Sequence, residues 1–158
     1  MRRCDEKVSG GVGMTNAISV KDRLKKQAIE DGKTMQDKLI TYGLERTIYR
    51  LSVSKYAEKF TLKGGIFLYA LFDGEYARST MDIDLLAQHI PNDTQEITNA
   101  FYDIFSIDCD DALQFDLDTL AVINITEFKK YHGVNVSVMG YLDRTKVPVS
   151  LDIGFGDV

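Results

Sequence analysis

The chain has 158 residues and a formal net charge of −5, with a pI near 5.0. An acidic balance of this kind argues against a protein that binds duplex nucleic acid without sequence preference. The hydrophobic fraction of 44% is enough for one domain with a buried core, and no apolar run approaches the roughly 18 residues needed to span a membrane.

The N-terminal residues and the cysteines bear on domain limits and compartment. Residues 1–13 are predicted to form a disordered leader without the apolar stretch of a signal peptide, and residues 14–158 are predicted to form the domain. Cys4 and Cys109 have no CxxC partner, so the sequence argues for neither a disulfide nor a zinc site. This cysteine usage favours a cytoplasmic protein.

Two helices are predicted first. Ser19 is a suitable N-cap and Gly32 a suitable stop for a helix over residues 20–31. Thr34 and Asp37 resemble a capping box at the start of a second helix. Apolar residues recur along that helix at spacings of three or four, at Met35, Leu39, Ile40, Leu44, Ile48 and Leu51. A third, shorter helix is predicted after Ser54.

Basic residues on the first two helices allow two interpretations. They are Lys21, Arg23, Lys25, Lys26, Arg46 and Arg50. They either line a local groove for RNA or coat two solvated helix faces. The residues alone leave both interpretations open.

A glycine pair follows the next predicted strand. Residues 60–62 predict a short strand that leads into Lys63, Gly64 and Gly65 and then into an apolar helix over residues 66–72. The free N–H groups of a helix N-terminus bind phosphate oxygens, and glycine permits close approach of the backbone to a ligand. The alternative is a tight strand-to-helix turn.

An acidic pair follows the glycine pair. Asp82 and Asp84 are two residues apart in a predicted strand over residues 81–87, so both point to one face. Repulsion between carboxylates ~5 Å apart costs about 3 kcal/mol at an effective dielectric of ~20, and Mg²⁺ would relieve it. A solvated strand face is the alternative, which we predict for Asp116 and Asp118 at the same spacing. Together, the glycine and acidic pairs predict a site for a metal-bound nucleoside triphosphate.

The remaining residues predict one helix and three strands. Residues 95–105 predict a helix with Thr94 as its N-cap. Period-two alternation then predicts one buried face at Leu113, Phe115, Leu117, Ala121, Ile123 and Ile125. Two further alternating segments, 134–138 and 147–155, complete an α+β fold with a mixed sheet flanked by helices. In the last segment Asp152 lies opposite the apolar face, either as a third metal-binding carboxylate or as an ordinary exposed residue.

The order of these motifs resembles a known family. The motif is Gly64-Gly65, an apolar helix and Arg78-x-Thr80-x-Asp82-Ile83-Asp84. It resembles motif I of the AbiEii/AbiGii toxins, which are nucleotidyltransferases of the DNA polymerase β-like superfamily. The stretch from Arg46 to Leu62 and the acidic strand from Leu151 to Asp157 are similar to that family as well. The resemblance implies a polymerase β-like nucleotidyltransferase core.

The resemblance also implies an activity and roles for residues. It implies a toxin of a toxin–antitoxin system that transfers NMP from an NTP to an RNA such as tRNA, or to a protein, with Mg²⁺ or Mn²⁺. The implied catalytic and metal-binding residues are Asp82, Asp84 and Asp152. The implied nucleotide-binding residues are Lys63, Gly64, Gly65, Arg78 and Thr80. The implied partners are the NTP, an RNA acceptor and a cognate antitoxin. A second copy of the chain is instead the partner expected if the chain is an interaction fragment that self-associates through a sheet edge or an apolar face.

Two departures from the family pattern favour an alternative. Ile66 stands where many superfamily members have Ser, which removes a hydroxyl ligand for phosphate. Family members continue into a helical C-terminal half with further Lys, Arg and Asp motifs, and this chain ends at Val158 before them. The alternative is a truncated, catalytically inactive fragment that binds nucleotide or a partner.

Overall fold

The computed structural model describes residues 15–62, 83–125 and 133–155. Within these ranges the α-helices are α1 (Ala17–Asp31), α2 (Met35–Ser52) and α3 (Thr94–Phe105). The strands are β1 (Phe60–Leu62), β2 (Ile83–Ala87), β3 (Leu113–Ile125), β4 (Gly133–Leu142) and β5 (Thr145–Phe155). These elements confirm the predicted α+β class.

The first two helices begin and end at identifiable caps. Asn16, rather than Ser19, caps α1, because its side-chain oxygen accepts a hydrogen bond from the backbone N–H of Ser19 at 2.9 Å. Gly32 ends α1 with a φ of 68°, a left-handed conformation that glycine adopts without steric cost. Thr34 caps α2 by accepting a hydrogen bond from the Asp37 N–H at 3.0 Å, which confirms the predicted start.

The third helix predicted after Ser54 is wrong. The structure has only a short 3₁₀ turn at Ala57–Lys59 in this segment. The hydroxyl of Ser54 accepts a hydrogen bond from the Tyr56 N–H at 3.1 Å, a local bond that competes with helical hydrogen bonding. Phe60 then enters the extended backbone of β1, where it is 5% exposed, so too few residues remain for an α-helix.

The strands form one mixed sheet in the order β1-β2-β5-β4-β3. Strands β2 and β5 are parallel, and the other neighbouring pairs are antiparallel. Helices α2 and α3 pack on one face of this sheet and form the main core with it. That core includes Leu44, Ile48, Phe101, Ile104, Ile83, Leu85, Val134, Val136, Leu151 and Ile153. Burial of such apolar side chains is the main source of stability.

Helix α2 lies very close to β5 at Gly43. A Cβ atom at this position would lie 2.7 Å from Val147 Cγ1 and 2.8 Å from Val149 Cγ2. Real Cβ atoms do not approach other carbons so closely, so only glycine lets the helix lie at this distance. The contact fixes α2 on the strand that carries Asp152.

Strand β3 departs from the predicted alternation. Its ladder pairs Asp116 with Met139 and next Ala121 with Ser137, so β3 advances five residues while β4 advances two. The three extra residues form a bulge, and an odd number moves the side chains that follow to the opposite face. Ile123, which was predicted to be buried, is therefore 60% exposed.

Polar groups stabilise this bulge. The Thr119 hydroxyl donates to the Asp116 carbonyl oxygen at 2.6 Å and accepts a hydrogen bond from the Met139 N–H at 2.8 Å. The Asp116 carboxylate accepts a hydrogen bond from the Asp118 N–H at 3.1 Å. Asp118 is exposed, as predicted, whereas Asp116 is half-buried.

Arg46, Arg50 and Asp111 form an ionic cluster between α2 and the segment before β3, and the Tyr42 hydroxyl donates to the Asp111 carbonyl oxygen at 2.8 Å beside it. Arg50 Nη1 and Nη2 donate to the two Asp111 carboxylate oxygens at 2.8 and 3.1 Å, and Arg46 Nε donates to Oδ2 at 2.7 Å. The other donors of Arg50 reach the carbonyl oxygens of Arg46, Ile107 and Leu113. Arg50 is only 1% exposed. Arg50 therefore neither lines a groove for RNA nor lies on a solvated helix face, and both interpretations are wrong for this residue.

Two further observations concern the segment before β3 and the helices. Cys109 is 7% exposed and disulfide-bonded, a bond for which the sequence did not argue because no CxxC partner was present. The cytoplasmic localisation stays a prediction. No helix among the described residues is both long and apolar enough to cross a membrane.

Candidate active site

Two acidic side chains meet on neighbouring strands of the sheet. Asp84 in β2 and Asp152 in β5 are register partners in the parallel pair. Neighbouring strands lie ~4.8 Å apart, and register partners point to the same face, so the two carboxylates are side by side. Helix α3 and strands β3 and β4 separate the two positions in the chain, so only the assembled sheet brings them together.

Both carboxylates lie on the sheet face opposite the helices. Ile83 and Leu85 flank Asp84 and are each 1% exposed, whereas Asp84 itself is exposed. The residues on either side of Asp152 are buried to the same extent, and Asp152 is half-buried. The orientation predicted from alternation is therefore confirmed, while the role of these residues stays a prediction.

Asn135 in β4 completes a polar row with Asp84 and Asp152. It is the register partner of Asp152 on the side away from β2. Its amide nitrogen lies 2.8 Å from Asp152 Oδ1, 3.0 Å from Ser150 Oγ and 3.3 Å from the Leu151 carbonyl oxygen, and its two hydrogens are shared among these three acceptors. Sequence reasoning missed Asn135, because alternation shows only that it lies on the polar face of β4.

The charges of this row are not balanced within the described part of the chain. Neither Asp84 nor Asp152 forms an ion pair with another described residue. No group of three or more His, Cys, Asp or Glu side chains with metal-binding geometry is present among residues 15–62, 83–125 and 133–155. Two adjacent carboxylates supply only oxygen donors, which hard cations such as Mg²⁺ and Mn²⁺ prefer. The donor set fits a divalent cation that completes its coordination with water or phosphate.

The other predicted site residues lie outside the described residues. They are Lys63, Gly64, Gly65, Arg78, Thr80 and Asp82, together with the helix predicted over residues 66–72. The backbone next to them is described, because β1 pairs with β2 and sets Leu62 opposite Leu85. Leu62, the last described residue before the glycine segment, is therefore paired with the residue that follows Asp84. The roles of the residues in this segment stay predictions.

The basic residues of α1 lie away from the carboxylates. Lys21 Nζ donates to Thr145 Oγ1 at 3.2 Å, at the first residue of β5. The Arg23 guanidinium lies 5.8 Å from the ring centroid of Tyr42. Asp152 is near the other end of β5, so Lys21 and Arg23 do not line a groove beside it.

A shallow depression lies at the same distant end of the sheet. Its volume is about 510 Å³, and its lining includes Asn16, Gln114, Tyr141 and Asp143. It contains no residue that the sequence predicts to be part of a site. The predicted catalytic residues Asp84 and Asp152 are not part of this depression.

Comparison with known proteins identifies a family. A family model described as "Nucleotidyl transferase AbiEii toxin, Type IV TA system" matches residues 46–158. The match begins within α2 and includes Asp84, Asn135 and Asp152. No curated protein matches the chain.

Proposed function

The chain belongs to the AbiEii family of nucleotidyltransferase toxins of type IV toxin–antitoxin systems, and on this premise we propose that it transfers a nucleoside monophosphate from an NTP to an acceptor. The proposed acceptor is a hydroxyl group of an RNA such as tRNA or of a protein side chain. The proposed cofactor is Mg²⁺ or Mn²⁺, and the proposed partner is a cognate antitoxin.

The observation that supports this proposal most strongly is the pairing of Asp84 with Asp152. Two ionised carboxylates on neighbouring parallel strands repel each other, and no cationic side chain among the described residues lies within ion-pair distance of either. A divalent cation and the phosphates it binds would remove that repulsion. A sheet built only for stability gains nothing from this arrangement.

The proposed chemistry follows from the positions of these residues. Asp84 and Asp152, with Asp82 from the preceding segment, would hold the cation. When bound, the cation would supply positive charge to the phosphoryl group and to the leaving pyrophosphate. The acceptor oxygen forms a bond to the α-phosphorus as the bond to the bridging oxygen breaks, and pyrophosphate leaves. Asp152 accepts the proton of the acceptor hydroxyl.

The residues of the glycine segment and of motif I have proposed roles in binding the nucleotide. Gly64 and Gly65 would donate backbone N–H groups to the β- and γ-phosphates. The proposed contacts from side chains come from Lys63, Arg78 and Thr80. Positioning of the triphosphate, rather than covalent chemistry, would then provide most of the rate acceleration.

The proposal is tested by incubating the full chain with each α-labelled NTP, Mg²⁺ and either an RNA or a protein extract as acceptor. We expect label to appear in one acceptor class. Asp84→Asn and Asp152→Asn should each reduce the transfer by about 100-fold or more, because each removes an anionic ligand.

Asp118→Asn is the matched control, because Asp118 belongs to an acidic pair with the same spacing but is exposed at the bulge of β3. This variant should transfer label at the unaltered rate. Unchanged transfer by the Asp84→Asn and Asp152→Asn variants would show that the assignment is wrong. Thermal stabilisation by NTP and Mg²⁺ without any transfer would instead favour a binding module.

A further inference from the structure

We propose that Asn135 is a positioning residue that holds the Asp152 carboxylate in place for cation binding. The inference rests on the proposed nucleotidyl transfer and adds a residue to it. The shortest of the three hydrogen bonds from the Asn135 amide nitrogen is the one to Asp152 Oδ1, at 2.8 Å. Hydrogen bonds to an ionised acceptor are also the strongest of this type.

The chemistry of its partners fixes the orientation of the Asn135 amide. The Asp152 carboxylate and the Leu151 carbonyl oxygen can only accept hydrogen bonds, so the amide nitrogen, not the amide oxygen, must face them. The Ser150 hydroxyl lies 3.0 Å from the same nitrogen. Contacts with three successive residues of β5 therefore hold the amide, and the amide in turn holds the carboxylate.

This contact affects the two oxygens of Asp152 differently. Oδ1 accepts the hydrogen bond from Asn135, whereas no described residue donates to Oδ2. The carboxylate is thus held through Oδ1, and the proposal assigns Oδ2 to the cation. Partners of this kind, which orient a metal ligand, typically affect metal affinity or activity by roughly 10- to 100-fold.

Asp84 and Asp152 are consequently not equivalent, although they are register partners. Asp84 is exposed and accepts no hydrogen bond from a side chain of the described residues, so its carboxylate can adjust to the ligand. Asp152 is fixed before any ligand arrives. The fixed carboxylate defines where the cation lies, and Asp84 adapts to it.

The test uses the full chain and three variants: Asn135→Ala, Asp152→Asn and the double variant. The first measurement is Mn²⁺ affinity by electron paramagnetic resonance without nucleotide, and the second is NMP transfer with kcat and KM separated. Asn135→Ala should weaken Mn²⁺ binding by about 10-fold or more and lower kcat. In the Asp152→Asn background, the same change should add little, because the carboxylate it would orient is absent.

Ser137→Ala is the matched control, since Ser137 lies on the same face of β4 and is the register partner of Ser150. It should change neither the Mn²⁺ affinity nor kcat. Asn135→Leu provides a second variant of similar size without a donor, and thermal unfolding checks that each protein is folded. If Asn135→Ala destabilises the sheet, the Asn135→Leu protein gives the same comparison.

The possible outcomes separate this inference from the proposed function. If Asp152→Asn abolishes transfer while the Asn135 variants bind Mn²⁺ and react like Ser137→Ala, the positioning role is overturned and the proposed function stands. Additive losses in the double variant would also overturn it, because Asn135 would then act independently of Asp152. If Asp152→Asn leaves transfer unchanged, both the proposed function and the positioning role fail.

Discussion

Asp111 and Asp152 are both aspartates that accept hydrogen bonds, yet their surroundings differ in charge. Asp111 is 4% exposed and binds Arg50 and Arg46 at N–O distances of 2.8 and 2.7 Å. Asp152 is half-buried, binds the neutral amide of Asn135 and lies beside a second carboxylate, Asp84. One site has its negative charge compensated inside the protein, and the other presents its charge on the open face of the sheet.

Under the proposed function, this difference separates a charge that serves the fold, at Asp111, from charges that serve a ligand, at Asp84 and Asp152. Removing one partner from a buried, fully hydrogen-bonded ion pair leaves a charge without compensation, which is strongly destabilising. Carboxylates that repel each other on an open face contribute nothing to folding, so their removal should not weaken the fold. Three changes, taken from the largest expected effect to the smallest, test this contrast.

Arg50→Met should have the largest effect, a loss of about 3–5 kcal/mol in the free energy of unfolding. It leaves the buried Asp111 carboxylate with Arg46 as its remaining cationic partner and the Leu113 N–H as a neutral donor, and it removes hydrogen bonds to three carbonyl oxygens. Urea unfolding measures the loss. Lys55→Met is the control, because the Lys55–Asp103 pair is 3.8 Å apart with side chains 69% and 52% exposed, and its loss should matter little. Equal effects of the two changes would refute the contrast.

Glu45→Gln removes a half-buried carboxylate, which lies between the buried Asp111 and the exposed Asp84 in its contact with solvent. Burial raises the pKa of Glu45 to about 7 from 4.5, against the lowering effect of Arg46, Arg23 and Lys38. The folded state thus keeps a proton that the unfolded state releases above pH 4.5, so stability falls as pH rises from 4.5 through 7. The Gln variant should lack this fall and should be more stable at pH 8 by about 1–2 kcal/mol, allowing for partial solvent screening. Parallel pH profiles for the two proteins in urea unfolding would contradict the expectation.

Asp84→Asn should have the smallest effect on stability, with the opposite sign to that of Arg50→Met. Without divalent cations it should stabilise the fold by about 0.5–1 kcal/mol, since it removes the repulsion with Asp152 in a solvent-exposed setting. Added Mg²⁺ should cancel this advantage by stabilising the parent protein alone. Thermal unfolding in EDTA and in Mg²⁺ measures both effects. A loss of stability in EDTA would mean that Asp84 serves the fold.

Features that depend only on residues close together in the chain could be predicted from the sequence. Period-two alternation placed Asp84 and Asp152 on the polar faces of their strands, because alternation is a property of each strand by itself. The pairing of Asp84 with Asp152, and of Asp152 with Asn135, depends on the order of strands in the sheet, which no local pattern contains. The outer part of β3 was assigned to the wrong face, because the bulge after Asp116 breaks the alternation.

Arg50 shows a second limit of the sequence. An arginine on an amphipathic helix is usually solvated. Arg50 is buried because Asp111, which is distant in the chain, accepts hydrogen bonds from two of its nitrogen atoms. The roles of Lys63, Gly64, Gly65, Arg78, Thr80 and Asp82 stay predictions, because these residues lie outside the described ones. Of the predicted carboxylates, Asp84 and Asp152 lie side by side in the sheet, and their roles also stay predictions.

The parallel pairing of β2 with β5 also has a consequence for folding. Helix α3 and the β3–β4 hairpin contain local contacts, which form early, whereas the β2–β5 ladder joins segments far apart in the chain and must close a long loop. We expect this ladder to form after these local elements. A partly folded chain would then have helices and hairpins but no adjacent carboxylates. Under the proposed function, nucleotidyl transfer would begin only after the β2–β5 ladder has formed.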